Sequence, residues 1–213
     1  MGPVKEISSP AETDDTAELD YFFDILEQFK SRLDSKDHEQ ETRELRLVAR
    51  SPESAIARAI LKKCSDLSEK GITLKVIFAH LSPMPLFSEW ISPETSPCGM
   101  EATNLIRWAN RPNLVDAHEQ FTLDKECSWS GESMRRDVNA RFGFYLFDEN
   151  CQHTAKLAHR SFESLWNVAD AIPQAQIKRA RLVADSDLTQ LKADAAGITL
   201  HSTQLSSPEF TRH

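Results

Sequence analysis

The sequence predicts an α/β protein with a mixed central sheet, helices on both faces of the sheet and a helical N-terminal extension. Two observations lead to this prediction. A strand, a helix and a second strand follow one another over 45–79, which is a βαβ unit whose crossover should be right-handed. Two further strands, over 114–123 and 142–147, precede a long amphipathic pattern over 151–169, which predicts a helix.

The βαβ unit is the most clearly marked part of the chain. Its first strand covers 45–49, and its second covers 72–79, a β-branched apolar run typical of a strand buried on both faces. Between them, Ser51 suits the N-cap, Pro52 the first helical position and Gly71 the helix end. The apolar positions of this helix recur at steps of three and four residues; they are Ile56, Ala59, Ile60, Cys64 and Leu67.

The remaining elements have weaker signals. Prolines interrupt 81–97, which predicts an irregular loop with one short helical turn. A helix is predicted over 101–109. Pro173 ends the long helix, and a modest helical pattern follows over 177–196.

Composition divides the chain into four segments. Residues 1–16 are acidic and poor in large apolar side chains, which predicts disorder. Residues 17–44 form an amphipathic helix and a charged linker, 45–173 a single α/β domain, and 174–213 a helical extension with a frayed tail. The apolar face of the N-terminal helix either packs on the domain or binds a partner or a second copy; its residues are Leu19, Phe22, Phe23, Leu26 and Phe29.

The composition is that of a soluble globular protein, with 40% hydrophobic and 27% charged residues among 213. No apolar run approaches the ~20 residues of a membrane span, and the first residues lack the apolar core of a signal peptide, so we expect a cytoplasmic protein. Residues 1–44 hold 13 acidic and 5 basic side chains, which accounts for the whole net charge of −8. Nucleic-acid binding is possible through a local patch, but this net charge does not indicate it.

Cysteine and histidine spacing predicts neither a metal site nor a cofactor. The four cysteines, Cys64, Cys98, Cys127 and Cys151, form no Cys-x-x-Cys pair, and no close histidine pair accompanies them. We therefore expect reduced thiols and a chain without a bound metal or cofactor.

One region carries a recognisable motif. It includes Ala117-His118, Trp129-Ser130-Gly131, the pair Arg135-Arg136 and, further on, Ser161-Phe162 and Leu165-Trp166. This order resembles the phospholipase D superfamily, in which a His-x-Lys-x4-Asp motif, a Gly-Ser-x-Asn turn, a strand and an amphipathic helix follow one another. The resemblance covers about 45–170 and implies a phospholipase D-like fold with a single, degenerate motif.

The resemblance also implies a phosphodiesterase chemistry, from which this chain departs. In the family, paired histidines and lysines act together, and members with one motif obtain the pair by homodimerisation. This chain has Gln120 at the position of the lysine, and an amide can hydrogen-bond a phosphate without supplying charge. Asp124 stands one residue before the position of the family aspartate. The turn reads Gly131-Glu132-Ser133-Met134, so it places a negative charge where a phosphate would be held.

Arginines after the turn offer a compensation for the missing lysine. Arg135 and Arg136 could form a bidentate anion fork, or they could be an exposed pair balanced by Glu132 and Asp137. His80 follows the second strand, at the sheet edge where ligand crevices form. The candidate catalytic residue is therefore His118, and the candidate ligand-binding residues are His80, Gln120, Asp124, Ser133, Arg135 and Arg136.

These residues support three hypotheses. The leading one is a noncatalytic phospholipase D-like domain that binds or regulates, with a protein partner or an anionic phosphodiester as its ligand. The first alternative is a homodimeric phosphodiesterase or nuclease that uses His118. The second alternative is a protein-interaction adaptor that uses the helix at 19–29.

Overall fold

The computed structural model describes residues 5–6, 15–35, 44–92, 105–123, 127–135, 145–149 and 151–195. Within these residues, eight strands form one sheet in the order β1-β7-β6-β5-β2-β3-β4-β8. The strands are β1 (Lys5–Glu6), β2 (Glu44–Ala49), β3 (Thr73–Phe78), β4 (Ile106–Trp108), β5 (His118–Leu123), β6 (Cys127–Ser133), β7 (Leu146–Asp148) and β8 (Asp170–Ala171). The α-helices are α1 (Asp15–Ser35), α2 (Ala55–Lys62), α3 (Cys64–Glu69), α4 (Met84–Ile91), α5 (Gln152–Val168) and α6 (Gln174–Ala195).

The predicted mixed sheet is confirmed. Strand β2 lies at its centre and pairs in parallel with β3, from Glu44 opposite Thr73 to Ala49 opposite Phe78. On its other side β2 pairs with β5 in the antiparallel sense, and β4 extends the parallel part beyond β3. The strand-helix-strand unit predicted over 45–79 is therefore present, and it forms the middle of the sheet.

Helices cover both faces of the sheet, as predicted. One face carries the larger core, in which α1, α2, α4 and α6 bury side chains against β2, β3, β5 and β6. The opposite face carries a smaller core in which α5 contributes Phe162 and Leu165, packed over Val48 and Ile77 of the central strands. Both cores lie directly on β2 and β3, which explains why these two strands are apolar on both sides.

Helix α1 belongs to the larger core and is more than an appended extension. Its apolar face is buried, and Phe22 packs edge-on against Trp129 with ring centroids 5.1 Å apart. Two ion pairs join the helix to its neighbours, Lys30 with Asp66 at 2.8 Å and Glu27 with Lys63 at 2.6 Å. The apolar face that the adaptor hypothesis assigns to a partner is therefore already buried against the domain.

The expectation of disorder over 1–16 is wrong for the residues of this segment that the structure describes. Lys5 and Glu6 pair with Phe147 and Leu146 of β7, and residues 15 and 16 belong to α1. Backbone pairing with β7 at the edge of the sheet forms β1. No side-chain pattern in the sequence predicts this strand.

Helix starts and ends differ from the prediction near Ser51. Helix α2 begins at Ala55, because residues 51–54 form a turn in which the amide of Ser54 donates to the carbonyl of Ser51 at 3.1 Å. The single helix predicted up to Gly71 is interrupted at Lys63, where ψ is 8°, and continues as α3. Gly71 does end the region, with a positive φ of 69°.

Two segments differ in secondary structure from the prediction. The proposed loop after residue 81 contains the two-turn helix α4, which buries Phe87, Trp90 and Ile91. The helix predicted over 101–109 is wrong at Ile106–Trp108, which forms β4 because its backbone pairs with β3 and β8. Residues 101–104 of that prediction, and 142–144 of the predicted fourth strand, lie outside the described residues. Among the residues that the structure describes, no helix has the length and apolar composition that crossing a membrane requires.

Candidate functional site

Three strand ends bring the predicted site residues to one edge of the sheet. Strands β2 and β3 end there at Ala49 and Phe78, and the antiparallel β5 begins there at His118. The amide of His80 donates to the carbonyl of Arg50 at 2.8 Å, which joins the two strand ends. This edge, here called the β2–β3–β5 edge, is where open α/β sheets place ligand crevices.

His118 is exposed at this edge and is held by one hydrogen bond. Its Nδ1 atom lies 2.8 Å from the carbonyl oxygen of Gly131 on the neighbouring strand β6. Since a carbonyl can only accept, Nδ1 carries the proton in this arrangement, and Nε2 of the neutral ring keeps its lone pair. His118 is therefore oriented for one hydrogen bond, or one proton transfer, with a ligand.

The backbone position that holds His118 requires glycine. A Cβ atom at Gly131 would lie 2.4 Å from the nearest ring atom of Trp129, which is buried to 1% exposure. Trp129 is in turn fixed between Phe121 and Tyr145, whose rings stack on it at centroid distances of 5.8 and 5.6 Å. The Trp129-x-Gly131 pattern thus connects the aromatic core to the orientation of His118.

Gln120 lies in a different environment from His118. Its side chain is 7% exposed, and its Nε2 atom donates to the carbonyl of Ala158 in α5 at 3.3 Å. The pairing of β5 with β6 is irregular here: His118 lies opposite Ser133 and Gln120 opposite Ser130, so the extra residue of the bulge is in β6 and β5 keeps its alternation. Gln120 and His118 therefore keep the predicted common face of β5, but α5 covers Gln120 and leaves His118 exposed.

Ser133 and Arg135 lie beside His118 but already have partners. Ser133 pairs with His118 across the two strands, and its hydroxyl donates to the carbonyl of Val115 at 3.3 Å. The Nε atom of Arg135 lies 3.0 Å from a carboxylate oxygen of Asp116, and its guanidinium also donates to the carbonyl of Pro112. Arg135 and Asp116 are 57% and 60% exposed, so this ion pair is weak and open to exchange.

The turn motif does not have its predicted form either. Residues 131–133, expected in a Gly-Ser-x-Asn-like turn, continue strand β6, and the chain turns at Met134 and Arg135. Pairing with β5 keeps this segment extended as far as Ser133, which lies opposite His118. Asp124 and Arg136, the other two predicted ligand-binding residues, lie outside the described residues.

The structure adds Glu119, Arg50 and Ser54 to the site. One oxygen of Glu119 accepts from the backbone amide of Arg50 at 2.7 Å and from the hydroxyl of Ser54 at 2.8 Å. The side chain of Arg50 donates to the carbonyl of Met134 at 3.2 Å, next to Ser133. These contacts span 65 to 84 residues, and no local pattern in a single sequence marks them.

The charges at this edge largely compensate one another. Arg135 pairs with Asp116 on the exposed side. Arg50 lies 4.0 Å from the second oxygen of Glu119, and the side chains of this second pair are 18% and 13% exposed. Among the described residues, no group of three potential ligands is placed to hold a metal ion. The arrangement thus presents one exposed, oriented imidazole beside a hydroxyl and an exchangeable arginine.

Nineteen chains among the solved structures are similar to this protein, and they include the following three. TrmBL2, an archaeal chromatin protein whose structure shows a novel mode of DNA binding, is 14% identical with a TM-score of 0.46, and the match covers 71% of this chain and 52% of that one. This chain thus spans about half the length of that protein. The phospholipase D family member Nuc from Salmonella typhimurium is 14% identical with a TM-score of 0.45, covering 80% and 97% of the two chains. NucT from Helicobacter pylori is 13% identical with a TM-score of 0.45, covering 80% and 99%. No protein-family model and no curated protein matches the sequence.

Proposed function

We propose that this chain is a noncatalytic domain that acts by binding an anionic ligand at the β2–β3–β5 edge. The observation that supports this proposal is the burial of Gln120 beneath α5. Phosphodiester hydrolysis needs positive charge on the phosphoryl oxygens. Where the motif resemblance implies a lysine, this chain has an uncharged amide that is committed to a carbonyl inside the domain.

The ligand that fits the edge best is a phosphodiester held by few contacts. In its imidazolium form His118 can donate from Nε2 to a phosphate oxygen while Nδ1 stays bonded to Gly131, and Arg135 can exchange its exposed partner Asp116 for another phosphate oxygen. A net charge of −8 on the whole chain opposes tight binding of a long polyanion. We therefore expect weak, salt-dependent binding in which His118 and Arg135 both contribute.

Hydrolysis of bis(4-nitrophenyl) phosphate tests the noncatalytic part of the proposal. We expect wild type, His118→Ala and the matched control His153→Ala, which replaces an exposed histidine on α5, to match the buffer rate. Hydrolysis by wild type and by His153→Ala, but not by His118→Ala, would overturn the proposal.

Fluorescence anisotropy with a labelled short oligothymidylate, used as a phosphodiester probe, tests the binding part. Loss of one hydrogen bond to a charged ligand is worth about 1.5 to 3 kcal/mol. His118→Ala should therefore weaken the affinity for the probe at least about tenfold. His153→Ala should leave this affinity unchanged. Equal affinities for all three proteins would place the ligand elsewhere.

A second candidate, the homodimeric phosphodiesterase, is favoured by the orientation of His118. Its Nδ1 atom is bonded to Gly131, which leaves Nε2 with the lone pair that a nucleophile or base uses. A twofold dimer with its axis near His118 would bring two such rings together. Light scattering on the assayed samples tests this candidate, because an inactive monomer at micromolar concentration contradicts it.

A further inference from the structure

The side chain of Arg50 reaches across the strand that begins at His118. Its Nε atom donates to the carbonyl of Met134 at 3.2 Å, and its Nη2 atom donates to the carbonyl of Ser133 at 3.4 Å. Arg50 follows β2, Ser133 ends β6, and β5 lies between these two strands in the sheet. The guanidinium of Arg50 therefore passes the beginning of β5, next to His118.

The pairing of the strands leads to the same neighbours. Val48 lies opposite Gln120 in the antiparallel pair of β2 and β5, so position 50 falls opposite position 118 when the register is continued by two residues. On the other side of β5, His118 lies opposite Ser133, whose carbonyl accepts from Arg50. Arg50 and His118 are thus cross-strand neighbours at the β2–β3–β5 edge.

Strand β6 anchors both side chains at a spacing that fits one phosphate group. The ring of His118 is bonded to the carbonyl of Gly131, and the guanidinium of Arg50 is bonded to the carbonyl of Ser133, two residues further on. At about 3.4 Å per residue, these two carbonyls lie within roughly 7 Å of each other. Two charge-assisted hydrogen bonds of about 2.8 Å, one to each non-bridging oxygen of a phosphodiester, can bridge a gap of this size.

The guanidinium of Arg50 has a donor left for a ligand. Its Nη1 atom makes no hydrogen bond to any residue that the structure describes. The nearer oxygen of Glu119 is 4.0 Å from Nη2, which is longer than a hydrogen bond, and the other oxygen accepts from the Arg50 amide and the Ser54 hydroxyl. The Arg50 side chain is 18% exposed, so it is held in place and still open to solvent.

We propose that Arg50 is the fixed cation of the anion site, and that Arg50 and His118 together bind the two non-bridging oxygens of one phosphodiester group. This inference rests on the proposed function, and it assigns to β2 the positive charge that residue 120 lacks. The planar guanidinium suits the role, because Nε and Nη2 can stay bonded to β6 while Nη1 donates to the ligand. Since a guanidinium releases no proton in proteins, Arg50 can hold a phosphate but cannot serve as the acid or base of hydrolysis.

Fluorescence anisotropy with the labelled oligothymidylate, in about 25 mM NaCl, tests the inference. Arg50→Gln should weaken the affinity for the probe at least about tenfold. The matched control Arg179→Gln replaces an exposed arginine of α6, a helix that packs on the opposite face of the sheet from α5, and should leave the affinity unchanged. Wild-type affinity in Arg50→Gln would overturn the inference.

The salt dependence of the same binding separates a charge contact from a structural role of Arg50. The slope of log affinity against log salt concentration should become shallower by about 0.7 in Arg50→Gln, because one contact between a cation and a phosphate is lost. Arg50→Lys keeps the charge and should keep the wild-type slope. A wild-type slope in Arg50→Gln, or a slope in Arg50→Lys as shallow as that in Arg50→Gln, would contradict the proposed contact.

A double-variant cycle tests whether both residues hold the same phosphate. Arg50→Gln and His118→Ala should each weaken the affinity at least about tenfold, and the double variant should lose less than the product of the two single losses. The reason is that a phosphate released by one group is held less well by the other. A loss equal to the product would assign the two residues to different phosphates and overturn the inference.

The outcomes distinguish this inference from the proposed function. Weaker binding in His118→Ala together with wild-type binding in Arg50→Gln would overturn the inference alone. No binding by wild type, or equal binding by wild type and His118→Ala, would overturn both. Urea unfolding shows whether each variant is folded. If Arg50→Gln does not fold, Arg50→Lys decides: weaker affinity at an unchanged salt slope supports the inference, and wild-type affinity or a changed slope overturns it.

Discussion

Replacing Gln120 by lysine restores the residue type that the motif resemblance implies, and we expect it to destabilise the protein without creating activity. The side chain at this position is 7% exposed and donates to the carbonyl of Ala158. Losing that hydrogen bond costs about 1 kcal/mol, and an ammonium without a buried acidic partner brings the total to about 3 to 5 kcal/mol. This is a large part of the stability of a typical domain, about 5 to 15 kcal/mol.

Urea unfolding followed by tryptophan fluorescence measures this loss, since Trp90 and Trp129 are fully buried reporters. Gln120→Met is the matched control, because it has a similar volume and no charge and should lose about 1 kcal/mol. Relative to wild type at the same pH, the loss for Gln120→Lys should shrink as pH rises toward the ordinary lysine pKa of about 10.4, where the amine becomes neutral. A Gln120→Lys protein as stable as wild type, with phosphodiester hydrolysis that depends on His118, would refute this reasoning.

Three further predictions concern the aromatic core and α1. Gly131→Ala should cost about 1 to 3 kcal/mol in urea unfolding, because the added Cβ displaces the ring of Trp129; an unchanged midpoint contradicts this. Burial raises the pKa of Tyr21 to about 12, and burial with Glu18 raises that of Tyr145, so stability should fall as pH rises above about 10, where only the unfolded phenols ionise. Tyr21→Phe should reduce that alkaline loss, and an identical pH profile would argue against it. Phe22→Ala should cost about 3 to 5 kcal/mol in thermal or urea unfolding, whereas a dispensable N-terminal helix would lose under about 1 kcal/mol.

Elements defined by local periodicity could be predicted from the sequence. Strands β2 and β3 and helix α5 were predicted to within about two residues, because their apolar side chains face cores at regular steps. The prediction gives only one helical turn within 81–97, where α4 has two, because prolines usually interrupt helices. Pro83 and Pro85 stand before and within the first turn, where proline is tolerated, so the rule that predicts helix starts would have found it.

Elements defined by distant partners could not be predicted in the same way. Strand β4 has only three residues, and its extended form depends on hydrogen bonds to β3 and β8. Arg107 in this strand donates to the carbonyls of Trp166 and Ala169, at the end of α5 and about sixty residues away. A window of sequence around Arg107 shows helix-forming residues, and only the assembled sheet overrides that preference.

The candidate site was also only partly predictable from the sequence, as His118 and Gln120 show. The spacing of His118 and Gln120 predicts a shared face of β5, but it does not predict that α5 covers Gln120 and leaves His118 exposed. Their chemistry is consistent with this difference in burial. An amide can be buried under α5 because the carbonyl of Ala158 satisfies it, whereas a lysine there would need a carboxylate partner. The absence of positive charge at residue 120 is therefore consistent with its burial, which is why introducing a lysine there should leave the site inactive.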